Sequence, residues 1–238
     1  MKNKILPAII FLLSVLCFCT KQGLANHAAG GEIIYIHLGD STYQFIFKFY
    51  RDCRGPAAPA EFDLCVFNTC TNQSFFVDLK QWQGPLPPDN REQGSPVSPG
   101  CSNAKTQCDS PGSVIPGYEE WWYQSLPTTL PLQCNYWRFG AVVGTTSLCC
   151  RNGSTNLQGT ANFYVETTFN STVQHHSSIL YKDPITKITR PRGPWDNSSP
   201  YYSVKPIPYV CINTPYTYNN GAIDPNGDSL WSQMINPL

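Results

Sequence analysis

The chain is expected to be all-β: a disulfide-stapled, Ig-like β-sandwich with long irregular loops, followed by the start of a second Ig/cadherin-like module. Three observations predict this. Short runs of β-branched and aromatic residues recur between turn formers, with 21 prolines and 17 glycines punctuating 238 residues. No long stretch carries apolar residues at helical spacing. Eleven cysteines point to oxidised cross-links, and only 13% of residues are charged.

The N-terminus comes first, because residues 1–25 read as a secretory signal peptide. Lys2 and Lys4 precede an apolar run over residues 5–18, and small residues follow, with Gly23 at −3 for cleavage after Ala25. The run is short for a membrane span. Cys17 and Cys19 raise a lipoprotein reading, but Leu16 and Phe18 before them are bulky where lipidation wants small residues. Removing Lys2, Lys4 and Lys21 leaves thirteen basic residues against sixteen acidic. No basic stripe remains to neutralise phosphates, so nucleic acid is excluded as a partner. No other run reaches membrane-spanning length.

The mature sequence opens on β-structure. "GEIIYIHL" and "TYQFIFKFY" flank "GDS" and read as a hairpin. In the second run Tyr43, Phe45, Phe47 and Phe49 share one face, which should be buried. Four such rings would supply on the order of 15–20 kcal/mol of gross burial, at about 25 cal/mol per Å². Chain entropy opposes that gain. Further strands are predicted at "FDLCVF", "SFFVDL", "WWYQSL", "YWRFGAVV", "ANFYVETTF" and "YYSVKPIPYVC".

Residues 84–117 resist this scheme, being rich in proline with little that could pack. A loop of this length is commonly functional or poorly ordered, and Cys101 and Cys108 staple it either to each other or to the body. A second irregular stretch, "YKDPITKITRPRGPWDNSSP", precedes the last strands. The domain reading is therefore a signal peptide over 1–25, an N-terminal sandwich over 26–206, and a truncated Ig-, PKD- or cadherin-like start over 207–238. About thirty residues cannot bury a core of their own, so the chain is expected to continue into downstream modules.

After the signal peptide nine cysteines remain: Cys53, Cys65, Cys70, Cys101, Cys108, Cys134, Cys149, Cys150 and Cys211. Their connectivity is not fixed by spacing. Neighbouring Cys149 and Cys150 point to opposite faces of a strand and are expected to bridge in different directions. The odd count leaves one thiol free or bridged outside this segment. No CxxC pair supports zinc.

"HAAGGEIIYIHLGDSTYQFIFKFYRDC", "CCRN" at 149–152, "NSSP" at 197–200 and "PYTYNNGAIDPNGDSL" at 215–230 carry a resemblance over nearly all of the mature chain. The sequence resembles the N-terminal region of large modular secreted proteins of the Bacteroidetes, which often end in gliding-motility-associated or type IX secretion sorting domains. The resemblance implies an extracellular, multi-domain, adhesive or cell-surface protein with no enzyme activity in this region. The proline-rich stretch and "RPRGPW" look larger than the family pattern, and no sorting domain is present.

Candidate sites follow. Asp224, Asn226 and Asp228 alternate around Gly227, the arrangement of a loop that wraps calcium, which wants six to eight oxygens. The same residues also make an ordinary Asp/Asn/Gly turn. With a dissociation constant of about 0.1 mM at millimolar calcium, binding would stabilise a module by roughly 1.4 kcal/mol. "EEWWYQ" offers Trp121, Trp122 and Tyr123 as a ligand platform, but adjacent Glu119 and Glu120 diverge rather than flank one bond. Packed aromatics with solvated glutamates are the plainer reading. His175 and His176 have nothing nearby to complete a metal shell. No Gly-x-Ser-x-Gly, HExxH or phosphate-cradling loop is present. The expected function is a non-catalytic extracellular structural or adhesive module, with a surface glycan or protein as ligand and residues 84–117 as a contact loop. The alternative is a carbohydrate-binding module of a polysaccharide-degrading enzyme.

Overall fold

Asp40 and Ser41 turn the chain between β1 (Ala28–Gly39) and β2 (Thr42–Asp52), the hairpin the sequence predicts. Asp40 takes the left-handed conformation, φ 47°, and its carbonyl accepts a hydrogen bond from His37 Nε2 at 2.7 Å. The structure, a computed structural model, describes residues 28–87, 90–101, 103–143, 163–172, 180–182, 189–191, 197–207, 209–219 and 221–233. The signal peptide, Cys149, Cys150, His175 and His176 lie outside the described residues.

The strands that follow are β3 (Glu61–Asn68), β4 (Gln73–Gln81), β5 (Ser95–Pro96), β6 (Tyr118–Gln124), β7 (Thr128–Thr129), β8 (Trp137–Val143) and β9 (Phe163–Phe169). Short pairs complete the set: β10 (Leu180–Lys182) with β11 (Thr189–Pro191), and β12 (Tyr201–Tyr202) with β13 (Ala222–Ile223). The main sheet runs β1-β2-β6-β4-β3-β8-β9, with β5 added to β6 and β7 to β2. Every pairing is antiparallel. No helix is present among the described residues.

The sheet curls until its two ends face one another, so both layers of the sandwich come from one continuous sheet. Tyr35 of β1 meets the ring of Phe169 in β9 at 4.8 Å, and Phe45 of β2 meets Phe139 in β8 at the same distance. Tyr43, Phe45, Phe47 and Phe49 all lie in this core, with Phe62, Leu64, Leu79, Tyr123 and Trp137. The chain is an all-β, disulfide-stapled sandwich.

The opposite face of β2 is buried too, which alternation alone does not predict. Ile46 packs there with Ile34, Ile36, Leu86 and Trp122. Leu86 comes from the proline-rich stretch, which is therefore not idle. Gly94 N donates to Glu120 O at 2.9 Å and Val97 N to Tyr118 O at 2.7 Å, laying the stretch along β6. Leu86 and Val97 are buried.

The cross-links settle an alternative the spacing left open. Cys101 and Cys108 do not pair with each other. Cys108 bonds Cys53 at the end of β2, and Cys101 bonds Cys211, while Cys70 bonds Cys134. Cys65 is disulfide-bonded as well. The long strand expected over "YYSVKPIPYVC" shrinks to the two residues of β12, and Pro206, which donates no ladder hydrogen bond, lies just beyond it. Tyr209 lies against the sandwich: its O accepts from Gly100 N at 2.8 Å, and its ring stacks on Tyr118.

Candidate functional site

The first residues of β1 are Ala28, Ala29, Gly30 and Gly31, too small to fill the face they present. Across the sheet register, Gly30 opposes Tyr50, which opposes Glu120; Glu32 opposes Lys48, which opposes Trp122. Two rows of cross-strand neighbours thus run side by side, one beginning with glycine. The last strands roof this face through Tyr201 and Tyr202.

The result is a cleft of about 590 Å³, bounded by Gly30, Glu32, Tyr50, Tyr118, Tyr202 and Tyr218. Ligand pockets commonly occupy about 300–1,000 Å³ and combine aromatic walls with a few placed polar groups. Both features are present.

A buried charge network forms one side. Lys48 is only 3% exposed. Its Nζ lies 2.8 Å from Glu32 Oε2, donates to Tyr202 O at 3.0 Å, and sits 5.0 Å from the centre of the Trp122 ring. The Glu32 Oε1 accepts from Tyr202 N at 2.7 Å. Its Oε2 is buried against the Lys48 ammonium. Burial holds the Glu32 carboxyl above the usual carboxylate range, outweighing the attraction of Lys48.

Glu120, 1% exposed, anchors the second row. Arg91 grips its Oε2 with Nη2 at 2.7 Å and Nε at 2.9 Å, and Lys205 approaches to 3.4 Å. Tyr50 donates to Oε1 at 3.3 Å. The solvated glutamate expected in "EEWWYQ" is thus corrected. Burying a carboxylate is costly, and Arg91, brought over by the proline-rich stretch, offsets that cost. Glu119 instead pairs with Arg51 and accepts from Trp121 Nε1 at 2.6 Å.

Burial favours the neutral phenol at Tyr50, Tyr209 and Tyr218. Burial, reinforced by the charge of Glu120, drives the Tyr50 hydroxyl far above its ordinary range. Burial raises Tyr218, and burial with the Tyr118 hydrogen bond pushes Tyr209 up to about 12. Such phenols offer both a donor and an acceptor.

The platform of Trp121, Trp122 and Tyr123 does not form. Alternation along β6 sends Trp122 to one face and Trp121 and Tyr123 to the other. Trp122 and Tyr123 are buried, and Tyr123 donates to Pro59 O at 2.7 Å. Only Trp121 keeps partial exposure.

Asp224, Asn226 and Asp228 share one turn, and the side-chain oxygens of Asp224 and Asn226 hold backbone. Asp224 Oδ1 accepts from Asn226 N at 2.7 Å and Asp228 N at 3.2 Å. Asn226 is buried, its Oδ1 accepting from Ser198 N at 2.8 Å. Ser198 and Ser199 in turn satisfy the outer edge of β1. Their hydroxyls accept from His37 N and Tyr35 N, and Ser199 N donates to Tyr35 O. The "NSSP" and "DPNGD" landmarks are therefore two halves of one clasp over a sheet edge. No group of three His, Cys, Asp or Glu side chains suited to a metal comes together among the described residues.

Sequence reasoning missed Glu32, Lys48, Tyr50, Tyr118, Tyr202 and Tyr218. One signal was available: Lys48 interrupts "FIFKFY", where a lysine inside an otherwise apolar strand calls for a buried counter-ion. Comparison with known proteins gives no matching family model, curated protein or solved structure.

Proposed function

We propose that the chain is a non-catalytic extracellular module of a larger secreted or cell-surface protein, serving a structural and adhesive role. The observation that carries this reading is the placing of the cross-links. Cys53–Cys108, Cys70–Cys134 and Cys101–Cys211 span 55, 64 and 110 residues; they tie the proline-rich stretch to the end of β2, the β3–β4 turn to the segment before β8, and the proline-rich stretch to the C-terminal segment. Disulfides persist in oxidising compartments, and loops fixed on a rigid sandwich commonly carry recognition. No described helix is long and apolar enough to cross a membrane. The resemblance to modular Bacteroidetes proteins points the same way.

Calcium belongs to this proposal as a stiffener of the 224–228 turn. Asp224 and Asp228 bring two carboxylates to that turn, and carbonyls and water would complete the shell. Calorimetric titration of the full chain against its Asp224→Ala variant reads this directly; equal heats would remove the metal.

The adhesive reading is tested with beads coated in the exported protein. They should be retained under flow on at least one polysaccharide- or protein-coated surface. Replacing the exposed Lys105 and Val114 of the 84–117 stretch by serine, which leaves Leu86, Arg91, Val97 and both cysteines in place, should reduce retention where that stretch makes the contact. Release from every surface at the lowest flow would refute adhesion.

A further inference from the structure

We infer that the cleft between β1, β6 and the Tyr202–Tyr218 side is a binding site for an uncharged saccharide. The inference rests on the chain being a non-catalytic exported module, and it assigns the ligand class to a site no motif announces. Four tyrosines, Tyr50, Tyr118, Tyr202 and Tyr218, bound a cavity of about 590 Å³. Tyrosine supplies broad, stiff contact area with a hydroxyl at its rim, and loses little entropy on binding. Those flat faces suit the C–H faces of pyranose rings.

The polar groups narrow the class. Glu32 lines the cavity with its carboxylate already held by Lys48 Nζ and Tyr202 N, which leaves the polar contacts to the tyrosine hydroxyls, each able to donate to and accept from a sugar hydroxyl. The charges behind the wall are paired with one another: Glu32 with Lys48, and Glu120 with Arg91 and Lys205. An ion of either sign would find its counter-charge already engaged, whereas a neutral polyol with an apolar face needs none. Val97, Val204 and Pro206 complete an apolar rim.

Gly30 gives a clean way to close the cleft. A Cβ built there meets nothing nearer than Tyr50 Cδ2 at 3.7 Å, an ordinary contact, and the residue lines the cavity. Gly30→Leu therefore fills the cleft without disturbing the core. Tyr218→Ala removes a half-exposed ring that the core does not use.

The experiment is affinity electrophoresis of the exported full chain through native gels carrying xylan, galactomannan, laminarin or pullulan. Hits are then titrated with oligosaccharides from the same polymer. The wild type should be retarded by at least one polymer, and both variants should lose at least ten-fold in affinity with unchanged near-ultraviolet circular dichroism. Trp121→Ala should bind as the wild type does. No retardation by any neutral polymer, retardation that survives Gly30→Leu, or displacement of bound sugar by choline would each overturn the assignment. Release of reducing ends that Gly30→Leu abolishes would support the site and overturn only the non-catalytic reading.

Discussion

Replacing Cys101 and Cys211 together by serine should cost about 4.8 kcal/mol of stability. The bond closes a loop of 110 residues, and opening it returns that closure entropy to the unfolded chain. The loss follows from −2.1 − 1.5R ln n cal/mol/K, evaluated at this length and about 298 K. The Cys53–Cys108 and Cys70–Cys134 bridges shorten the loop only slightly, because the detour through them saves few residues. Guanidinium unfolding under non-oxidising, non-reducing conditions is the assay. With a slope of about 4 kcal/mol/M, the midpoint should fall by about 1.2 M. The slope itself should rise, because the unfolded chain is less constrained and exposes more surface. Tyr209 and its neighbours should also become sensitive to protease, having lost the anchor that holds Tyr209 against Gly100 and Tyr118. A midpoint within roughly 0.3 M of wild type, a quarter of the expected shift, would refute the view that this bond fastens the C-terminal segment.

Three further outcomes follow from the packing. Glu120→Gln should destabilise by about 3–5 kcal/mol, since Arg91 and Lys205 lose their buried counter-ion; a double-mutant cycle with Arg91→Met should show strong coupling, and additive losses would dismiss the network. Gly31→Ala should cost about 1–3 kcal/mol, because the new Cβ would lie 2.7 Å from Phe47 Cε2, whereas Gly30→Ala should stay within about 0.5 kcal/mol in thermal melts. Burial pushes the Tyr123 phenol up to about 12, above its ordinary 10.0. The stability linked to that shift is fully present below pH 10 and is lost as pH rises through about 12. Alkaline melts of Tyr123→Phe should therefore fall less steeply across that window than wild type; parallel curves would count against a buried neutral phenol.

The strands were legible because their signal is local. Tyr43, Phe45, Phe47 and Phe49 recur at every second position, and that spacing alone commits one face of β2 to the core. Turn residues at 39–41 mark the hairpin, and the cysteine count announces cross-linking. These are properties of neighbouring residues, so the chain carries them wherever it folds.

What the other face of β2 does was decided elsewhere. Ile46 and Lys48 are buried only because Leu86, Trp122 and Tyr201 arrive from distant parts of the chain. Glu120 is tolerable in the interior because the proline-rich stretch delivers Arg91 to it. The same dependence joined Asn226, braced by Asp224, to Ser198. Residue type and period set which side chains can be buried. Only the closed sheet, through partners dozens of residues away, determined which charges are, and so where a tyrosine-lined cleft opens.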